Sequence, residues 1–152
     1  ARLPRPRLGP VDVETWSRRV AGLESRVPIE VRPGPPVVLN ADGDQLDQLL
    51  INLVRNAADA VLESRAAGNT GGRVVIGWRI VDGRFDLEVQ DDGPGLAETE
   101  NLFVPFFTTK PGGSGVGLAL SRLIAEGHSG ALTLANRDDA RGCVARLSLR
   151  RV

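Results

Sequence analysis

The stretch DQLDQLLINLVRNAADAVLESR, residues 44–65, decides the fold of this chain. Its apolar residues recur at intervals of three and four, which predicts an amphipathic helix with one face in the core. Asn52 and Asn56 lie four residues apart on one side of that helix, although asparagine is unfavourable in helix interiors. Amide carbonyls in a row suit Mg²⁺ and its bound phosphates, and a solvated polar face is the alternative. The apolar positions are Leu46, Leu49, Leu50, Leu53, Val54, Ala57 and Val61.

Short strands and helices are predicted on both sides of this segment. Upstream, the patterns predict a helix over 11–26, strands over 29–32 and 37–40, and Asp42 as the N-cap of the long helix. Downstream, the predicted elements are strands 73–81 and 84–90 around an Asp82-Gly83 type I′ turn, a helix over 116–127, and strands 130–136 and 142–150. This order predicts an α+β two-layer sandwich, in which helices cover one face of a mixed, mostly antiparallel sheet.

Composition excludes several classes of function. Lys plus Arg and Asp plus Glu number 19 each in 152 residues, so the net charge of zero argues against binding to nucleic acid or to anionic membranes. A single cysteine, Cys143, permits no internal disulfide, and no Cys/His cluster has zinc-site spacing. No membrane-spanning run or signal peptide is visible. We therefore expect a cytoplasmic domain, and the basic, proline-broken start ARLPRPRLGP suggests a piece of a longer protein.

The first glycine cluster is DDGPG, residues 91–95, directly after a predicted strand. Gly93 and Gly95 allow the backbone to approach a flat ligand closely. Asp91 can accept hydrogen bonds from an exocyclic amine, which is how a carboxylate would recognise adenine. The alternative is a tight turn in which the aspartate caps the backbone.

The second glycine cluster is PGGSGVGL, residues 111–118, which runs into a predicted helix. Backbone N–H groups at a helix N-terminus form an anion site. This cluster matches neither the P-loop nor the dinucleotide-binding fingerprint, and a flexible hinge is the alternative. Phe103, Phe106 and Phe107 precede it, either as core residues or as a docking surface. Neighbouring hydroxyls and a cation are supplied by Thr108, Thr109, Lys110 and Ser114.

Four of these segments, in this order, resemble the motifs of the ATP-binding catalytic domain of sensor histidine kinases. NLVRNAADA resembles the N box, DDGPG the first glycine box, LFVPFFTTK the F box, and GGSGVGLALSRLIAEGHSG the second glycine box with its helix. The pattern is most similar to kinases of the nitrogen-regulation type. The resemblance implies a Bergerat-type ATP-binding fold, shared with gyrase, mismatch-repair and heat-shock-chaperone ATPases. It implies an ATP-binding catalytic domain over 28–152, preceded over 1–27 by a linker and first helix from a missing phosphoacceptor domain.

The resemblance also implies roles for individual residues. Asn56 would bind Mg²⁺ through its side-chain carbonyl, Asn52 would assist near the phosphates, and Asp91 would bind the adenine amine. Lys110 would contact the γ-phosphate, and Arg55 would face the phosphates from beside the asparagine line. The other nucleotide-binding positions would be Gly93, Gly95, Phe107, Thr108, Thr109, Gly113, Ser114, Gly115, Val116, Gly117 and Leu118.

Asn52 separates two reactions within this family. Hydrolysing relatives carry a water-activating glutamate at its position, and an amide is no general base. The resemblance therefore implies transfer of the γ-phosphoryl group of ATP to a histidine, with Asn52 and Lys110 as the catalytic residues. The acceptor would lie on separate dimerisation and phosphoacceptor helices in a two-component system that signals indirectly to a response regulator. We expect His128, the single histidine, to cap and pack rather than to accept phosphate, so the isolated chain would autophosphorylate little.

Two alternatives remain open at this point. One is a nucleotide-gated interaction module without transfer, and the other is a serine kinase of the same fold that acts on a sigma-factor regulator. A hydrolysing clamp is disfavoured by Asn52. The isolated domain is expected to be monomeric, without direct contact to nucleic acid or membrane, whether or not its parent is membrane-anchored. Three residues depart from the family pattern: Cys143 for a threonine near the adenine pocket, Ser129 for a glycine, and Asp59 for a basic residue.

Overall fold

Seven strands and three helices make up the part of the chain that the computed structural model describes, namely residues 3–94, 115–138 and 141–150. In chain order they are β1 (Gly9–Asp12), α1 (Val13–Ala21), β2 (Ile29–Arg32), β3 (Val38–Ala41), α2 (Gly43–Ala66), β4 (Val74–Val81), β5 (Arg84–Asp91), α3 (Gly115–Gly127), β6 (Ala131–Asn136) and β7 (Cys143–Arg150). No helix in these ranges is both long enough and apolar enough to cross a bilayer.

Five strands form the main sheet, in the order β2-β4-β5-β7-β6. β2 runs parallel to β4, and the remaining neighbours are antiparallel. Alternate residues of β5 and β7 are buried under the helices, as period-two patterning requires. The inward apolar positions are Phe85, Leu87 and Val89 on β5, and Ala145, Leu147 and Leu149 on β7. The predicted α+β architecture, with helices packed on a mixed sheet, is confirmed.

The long helix α2 begins where its cap was predicted. The Asp42 side chain accepts a hydrogen bond from the Gln45 backbone N–H at 3.0 Å, which satisfies a donor in the first turn. Leu46, Leu49 and Leu50 are fully buried against the sheet and α1. The helix therefore forms the centre of the core, as its periodicity indicates.

The turn between β4 and β5 also follows the sequence. Asp82 and Gly83 both have positive φ, at 50° and 73°, which is the type I′ geometry that suits a two-residue hairpin. The paired strands keep register from Val81 opposite Arg84 to Val74 opposite Asp91.

The first elements of the chain differ from the prediction. Residues 9–12 form a strand that pairs antiparallel with β3, so the predicted helix over 11–26 begins only at Val13 and ends at Ala21. Asp12 ends the strand because its side chain accepts the Thr15 N–H at 3.0 Å and caps α1. Trp16 of α1 is buried in the common core, which joins this segment to the rest of the fold.

Candidate functional site

Asn52 of α2 lies against the first turns of α3. Its side-chain amide donates to the Gly117 carbonyl at 3.4 Å and to the Ser121 hydroxyl at 3.3 Å. A Cβ on Gly117 would come within 4.0 Å of the Asn52 amide carbon. The structure therefore brings the predicted asparagine row to the helix that follows the second glycine cluster, across 65 residues of sequence. Ser121, which is buried, has a role that the sequence analysis missed.

Asn56 lies one helical turn beyond Asn52 on the same side of α2, and both side chains are half-buried. Arg55 is exposed and lies off that line, as helix geometry predicts. The row of amides thus runs along the edge of α2, between its buried leucine face and solvent.

A cation faces the row at its next turn, where the sequence analysis found only Asp59. The Arg26 guanidinium pairs with the Asp59 carboxylate at 2.9 Å and with Glu24 at 2.9 Å. The bonds to Glu24 and then Asp59 raise the pKa of Arg26, and the same contact lowers the pKa of Glu24. The acidic departure at position 59 is therefore compensated by an arginine 33 residues away in sequence.

Asp91 is the last inward-facing residue of β5, at a position where the alternation of the strand would place an apolar residue. Its side chain is 5% exposed. One carboxylate oxygen accepts the Gly93 N–H at 2.9 Å and the Cys143 N–H at 3.3 Å. The tight turn suggested as an alternative is therefore present, and it fixes the orientation of a buried carboxylate. The strand alternation was the signal for an unusual residue here.

Gly93 is required by packing on α2. A Cβ at this position would lie 2.6 Å from the Ala60 Cβ and 2.8 Å from the Ala60 carbonyl carbon. The close approach seen at this glycine is to α2, and its approach to a flat ligand stays a prediction. The contact holds the first glycine cluster beside the helix that carries the asparagine row.

Two arginines anchor the strand ends around this turn. The Arg137 guanidinium pairs with Asp92 at 2.5 Å and reaches the Asp91 carbonyl at 3.4 Å. Arg141 donates to the Ser64 hydroxyl of α2 at 3.0 Å. Neither contact follows from local sequence, because each joins residues at least 45 positions apart.

Cys143 contributes to the Asp91 turn through its backbone. The thiol side chain is buried, and the backbone N–H is the group that bonds Asp91. Because that donor is common to all residues except proline, the cysteine keeps this bond where the family has threonine.

Several predicted site residues lie outside the described residues. Of the α3 residues in the prediction, the backbones of Gly115 and Val116 begin the helix, and Leu118 is half-buried. The predicted positions outside the described ranges are Gly95, Phe107, Thr108, Thr109, Lys110, Gly113 and Ser114.

Comparison with known proteins identifies similar sequences and structures. The model of the family described as "Histidine kinase-, DNA gyrase B-, and HSP90-like ATPase" matches residues 41–152. The sensor protein FixL of Bradyrhizobium diazoefficiens is 43% identical over 100 residues, which are 64% of this chain and 19% of FixL. The chain spans about a fifth of the length of the curated relatives it matches.

Two solved structures share the fold over nearly the whole chain. The mycobacterial sensor histidine kinase MprB superposes with a TM-score of 0.77 at 29% identity, covering 95% of this chain and 99% of that one. Full-length ShkA in complex with AMPPNP superposes with a TM-score of 0.82 at 26% identity, covering 100% of this chain and 32% of that one.

Proposed function

The chain belongs to the family of histidine kinase-, DNA gyrase B- and HSP90-like ATPases, and we propose that it is the ATP-binding catalytic domain of a sensor histidine kinase. It binds ATP with Mg²⁺ and transfers the γ-phosphoryl group to a histidine on separate phosphoacceptor helices. The contact between Asn52 and the first turns of α3 is the observation that carries this proposal. It joins the amide row on α2 to α3, the helix whose N-terminal N–H groups would bind phosphate.

The residues on α2 fit a magnesium ion. Among the described residues, no group of three or more His, Cys, Asp or Glu side chains is arranged to enclose a metal. Mg²⁺ takes few protein ligands and completes its shell with water and substrate phosphates. The Asn56 carbonyl would be the protein ligand, with Asn52 beside it. When bound, the ion neutralises charge on the phosphates as the γ-phosphoryl group leaves.

Transfer of the γ-phosphoryl group is favoured over hydrolysis of ATP because the asparagine row on α2 offers no side chain that could act as a general base. Along the described edge of α2, the residues at the three turns are Asn52, Asn56 and Asp59, and the single carboxylate is paired with Arg26 at 2.9 Å. An amide does not accept a proton from water at neutral pH. This chain therefore positions the nucleotide, and the acceptor helices supply the attacking imidazole.

The buried carboxylate at the end of β5 would recognise the purine ring of the nucleotide. Asp91 is held by two backbone N–H groups on one oxygen, so its orientation is set before a ligand arrives. A carboxylate accepts hydrogen bonds and does not donate them. It would favour adenine, whose exocyclic amine donates, over guanine, which presents a carbonyl at the equivalent position.

The proposed partners follow from the same function. They are ATP, the phosphoacceptor helices of the parent protein and, indirectly, a response regulator. We assign residues 28–152 to the catalytic domain and 1–27 to the linker and first helix, and place the domain in the cytoplasm as a monomer. Burial of Trp16 in the common core supports a linker that is packed onto the domain it precedes.

A label-transfer assay tests the proposal. The chain is incubated with Mg²⁺ and γ-labelled ATP, first alone and then with separately produced phosphoacceptor helices of its parent protein. We expect acid-labile label on a histidine of the helices and almost none on the chain. Binding of ATP without labelled helices would instead indicate an interaction module, and stable label on His128 would contradict the assignment of the acceptor.

A further inference from the structure

His128 lies where the C-terminal end of α3 meets the N-cap of α2. Its Nε2 atom accepts a hydrogen bond from the Asp42 backbone N–H at 3.0 Å. Its Nδ1 atom lies 2.8 Å from the Ile124 carbonyl oxygen of α3. The residue is half-buried and follows the last residue of α3.

These two partners determine the proton on the imidazole. The Ile124 carbonyl can only accept, so Nδ1 must carry a hydrogen, whereas the Asp42 N–H can only donate, so Nε2 must be bare. Both bonds therefore exist together only in the neutral Nδ1–H tautomer. An imidazolium, or the other tautomer, would leave one backbone group without its partner.

The N-terminal segment is attached to the same point. The Asp42 carboxylate accepts the Arg7 backbone N–H at 2.8 Å, and the Gln45 side chain donates to the Pro4 carbonyl at 3.0 Å. His128 lines a cavity of about 450 Å³ with Arg5 and Arg150 among the other lining residues. Among the described residues, the charged side chains that line this cavity or belong to a bonding partner of the imidazole are those of Arg5, Arg150 and Asp42.

The His128 contact, from the residue after α3 to the N-cap of α2, is one of the hydrogen-bonded attachments between these helices that the described residues show. Another joins Asn52 to Gly117 and Ser121 at the other end of α3, which shows that the two helices run antiparallel. From Asp42 to Asn52 the rise along α2 is about 15 Å, which lies between the rises of about 16 Å from Gly117 and about 10 Å from Ser121 to His128. Because these spans match, α3 cannot slide along α2 while both attachments hold.

We propose that His128 is a positioning residue that, as a neutral Nδ1–H imidazole, fixes the register of α3 on α2 and so holds Gly117 at Asn52. Through Asp42 it also connects that register to the N-terminal segment around Arg7. The effect on nucleotide rests on the proposed ATP-binding function. The effect on the Asn52 contact does not depend on it.

Nuclear magnetic resonance tests the register without nucleotide. In the wild-type chain at pH 7.5, we expect nitrogen shifts of a neutral imidazole protonated at Nδ1. His128→Ala should shift the side-chain amide signals of Asn52, about 15 Å away along α2. His128→Gln, whose side chain can still accept the Asp42 N–H, should restore them. The control Glu126→Gln changes an exposed residue two positions away and should leave them unchanged.

The outcomes separate clearly. Wild-type shifts of an imidazolium or of the Nε2–H tautomer would overturn the proposal, and this measurement needs no variant to fold. Asn52 signals that stay in place in a folded His128→Ala chain would overturn it as well, because a residue that merely caps α3 would disturb only its own end of the helix.

Nucleotide affinity supplies a second readout. We expect the His128→Ala variant to bind MgATP about fivefold more weakly than the wild type, because it loses one hydrogen bond of ordinary strength. The affinity of the His128→Gln variant should stay within about twofold of the wild-type value. Equal affinity of the wild type and His128→Ala would contradict the link to nucleotide. If the wild type itself bound no ATP, the proposed function would fail, and the Asn52 amide signals would still decide the role of His128.

Discussion

Asn56 is the residue on which metal binding depends in this account. It lies half-buried on the edge of α2, one turn beyond the contact of Asn52 with α3. We predict that Asn56→Ala weakens MgATP binding at least tenfold while the free energy of unfolding changes by less than about 1 kcal/mol, since alanine is the better helix former. Isothermal titration calorimetry measures the first quantity and urea denaturation the second.

The matched control for Asn56 is Gln48→Ala, an exposed amide on the same helix. It removes an exposed amide two helical turns before Asn56, about 12 Å away along the axis, so MgATP affinity should stay within about twofold of the wild type. Equal losses for the two variants would mean that the row is merely a solvated helix edge.

Gly93 makes a steric prediction at the same scale. A methyl group there would lie 2.6 Å from the Ala60 Cβ, and the nearby backbone of α2 cannot move aside without disturbing the core. We expect Gly93→Ala to destabilise the fold by about 2 kcal/mol, as overpacking usually does. Urea denaturation should show this loss, whereas Gly9→Ala, where a Cβ meets nothing within 4 Å, should leave stability nearly unchanged.

At the scale of the elements, the N-cap residue Asp42 stabilises α2, and its contribution to the free energy of unfolding varies with pH. The backbone N–H groups of Arg7 and then Gln45 are the main causes that lower the pKa of Asp42. A carboxyl whose pKa is lower in the folded than in the unfolded state stabilises the fold. This stabilisation is fully present when the pH is above the unfolded-state pKa, about 3.9, and it is lost as the pH falls through the folded-state pKa.

The substitution Asp42→Asn tests the carboxylate, because its one amide oxygen can keep the cap bond from the Gln45 N–H but cannot also accept the Arg7 N–H, which bonds the other oxygen. We predict that it costs about 1 kcal/mol at pH 7, the size of one hydrogen bond lost from a buried group. The difference from the wild type should shrink towards zero below about pH 3. Urea denaturation of both proteins at pH 7, 4 and 3 measures this difference in the free energy of unfolding. A difference that grew at acid pH would contradict the stabilising role of the Asp42 carboxylate.

Local signals in the sequence predicted the elements that depend on local interactions. The cap of α2 and the Asp82-Gly83 turn are set by neighbouring residues, and both were predicted correctly. β1 was missed because Gly9 and Pro10 are poor strand formers, and its stability comes from pairing with β3, about 30 residues away. The end of α1 was placed too late because the charged residues after Gly22 continue a helical pattern that the C-cap ends.

In the candidate site, too, the features set by local sequence were predictable and the long-range contacts were not. The asparagine row was predicted because it breaks the apolar pattern of its helix, and Asp91 because it begins a glycine cluster directly after a predicted strand. The contacts that join them, from Asn52 to Ser121, Gly93 to Ala60 and Arg26 to Asp59, were not predictable from spacing. They link distant segments, so they depend on how the helices pack on the sheet.

At the scale of the whole molecule, the fold places parts of both halves of the chain beside α2. The row comes from α2 and the buried carboxylate from the end of β5, while α3 arrives from the C-terminal half and is attached to α2 at both ends. The predicted membership of the histidine kinase ATPase family is confirmed by the family match and by the similar solved kinase structures. We propose that the amide at position 52 distinguishes this domain from the hydrolysing members of the family.

The fate of the γ-phosphate in a single turnover tests that distinction most directly. The chain, Mg²⁺ and a trace of γ-labelled ATP are mixed with excess phosphoacceptor helices, and the label is divided between protein-bound phosphohistidine and free phosphate. We predict that most of the label reaches the helices and that free phosphate stays near the level of a mixture without the chain. Release of most of the label as free phosphate, with the helices unlabelled, would contradict the account.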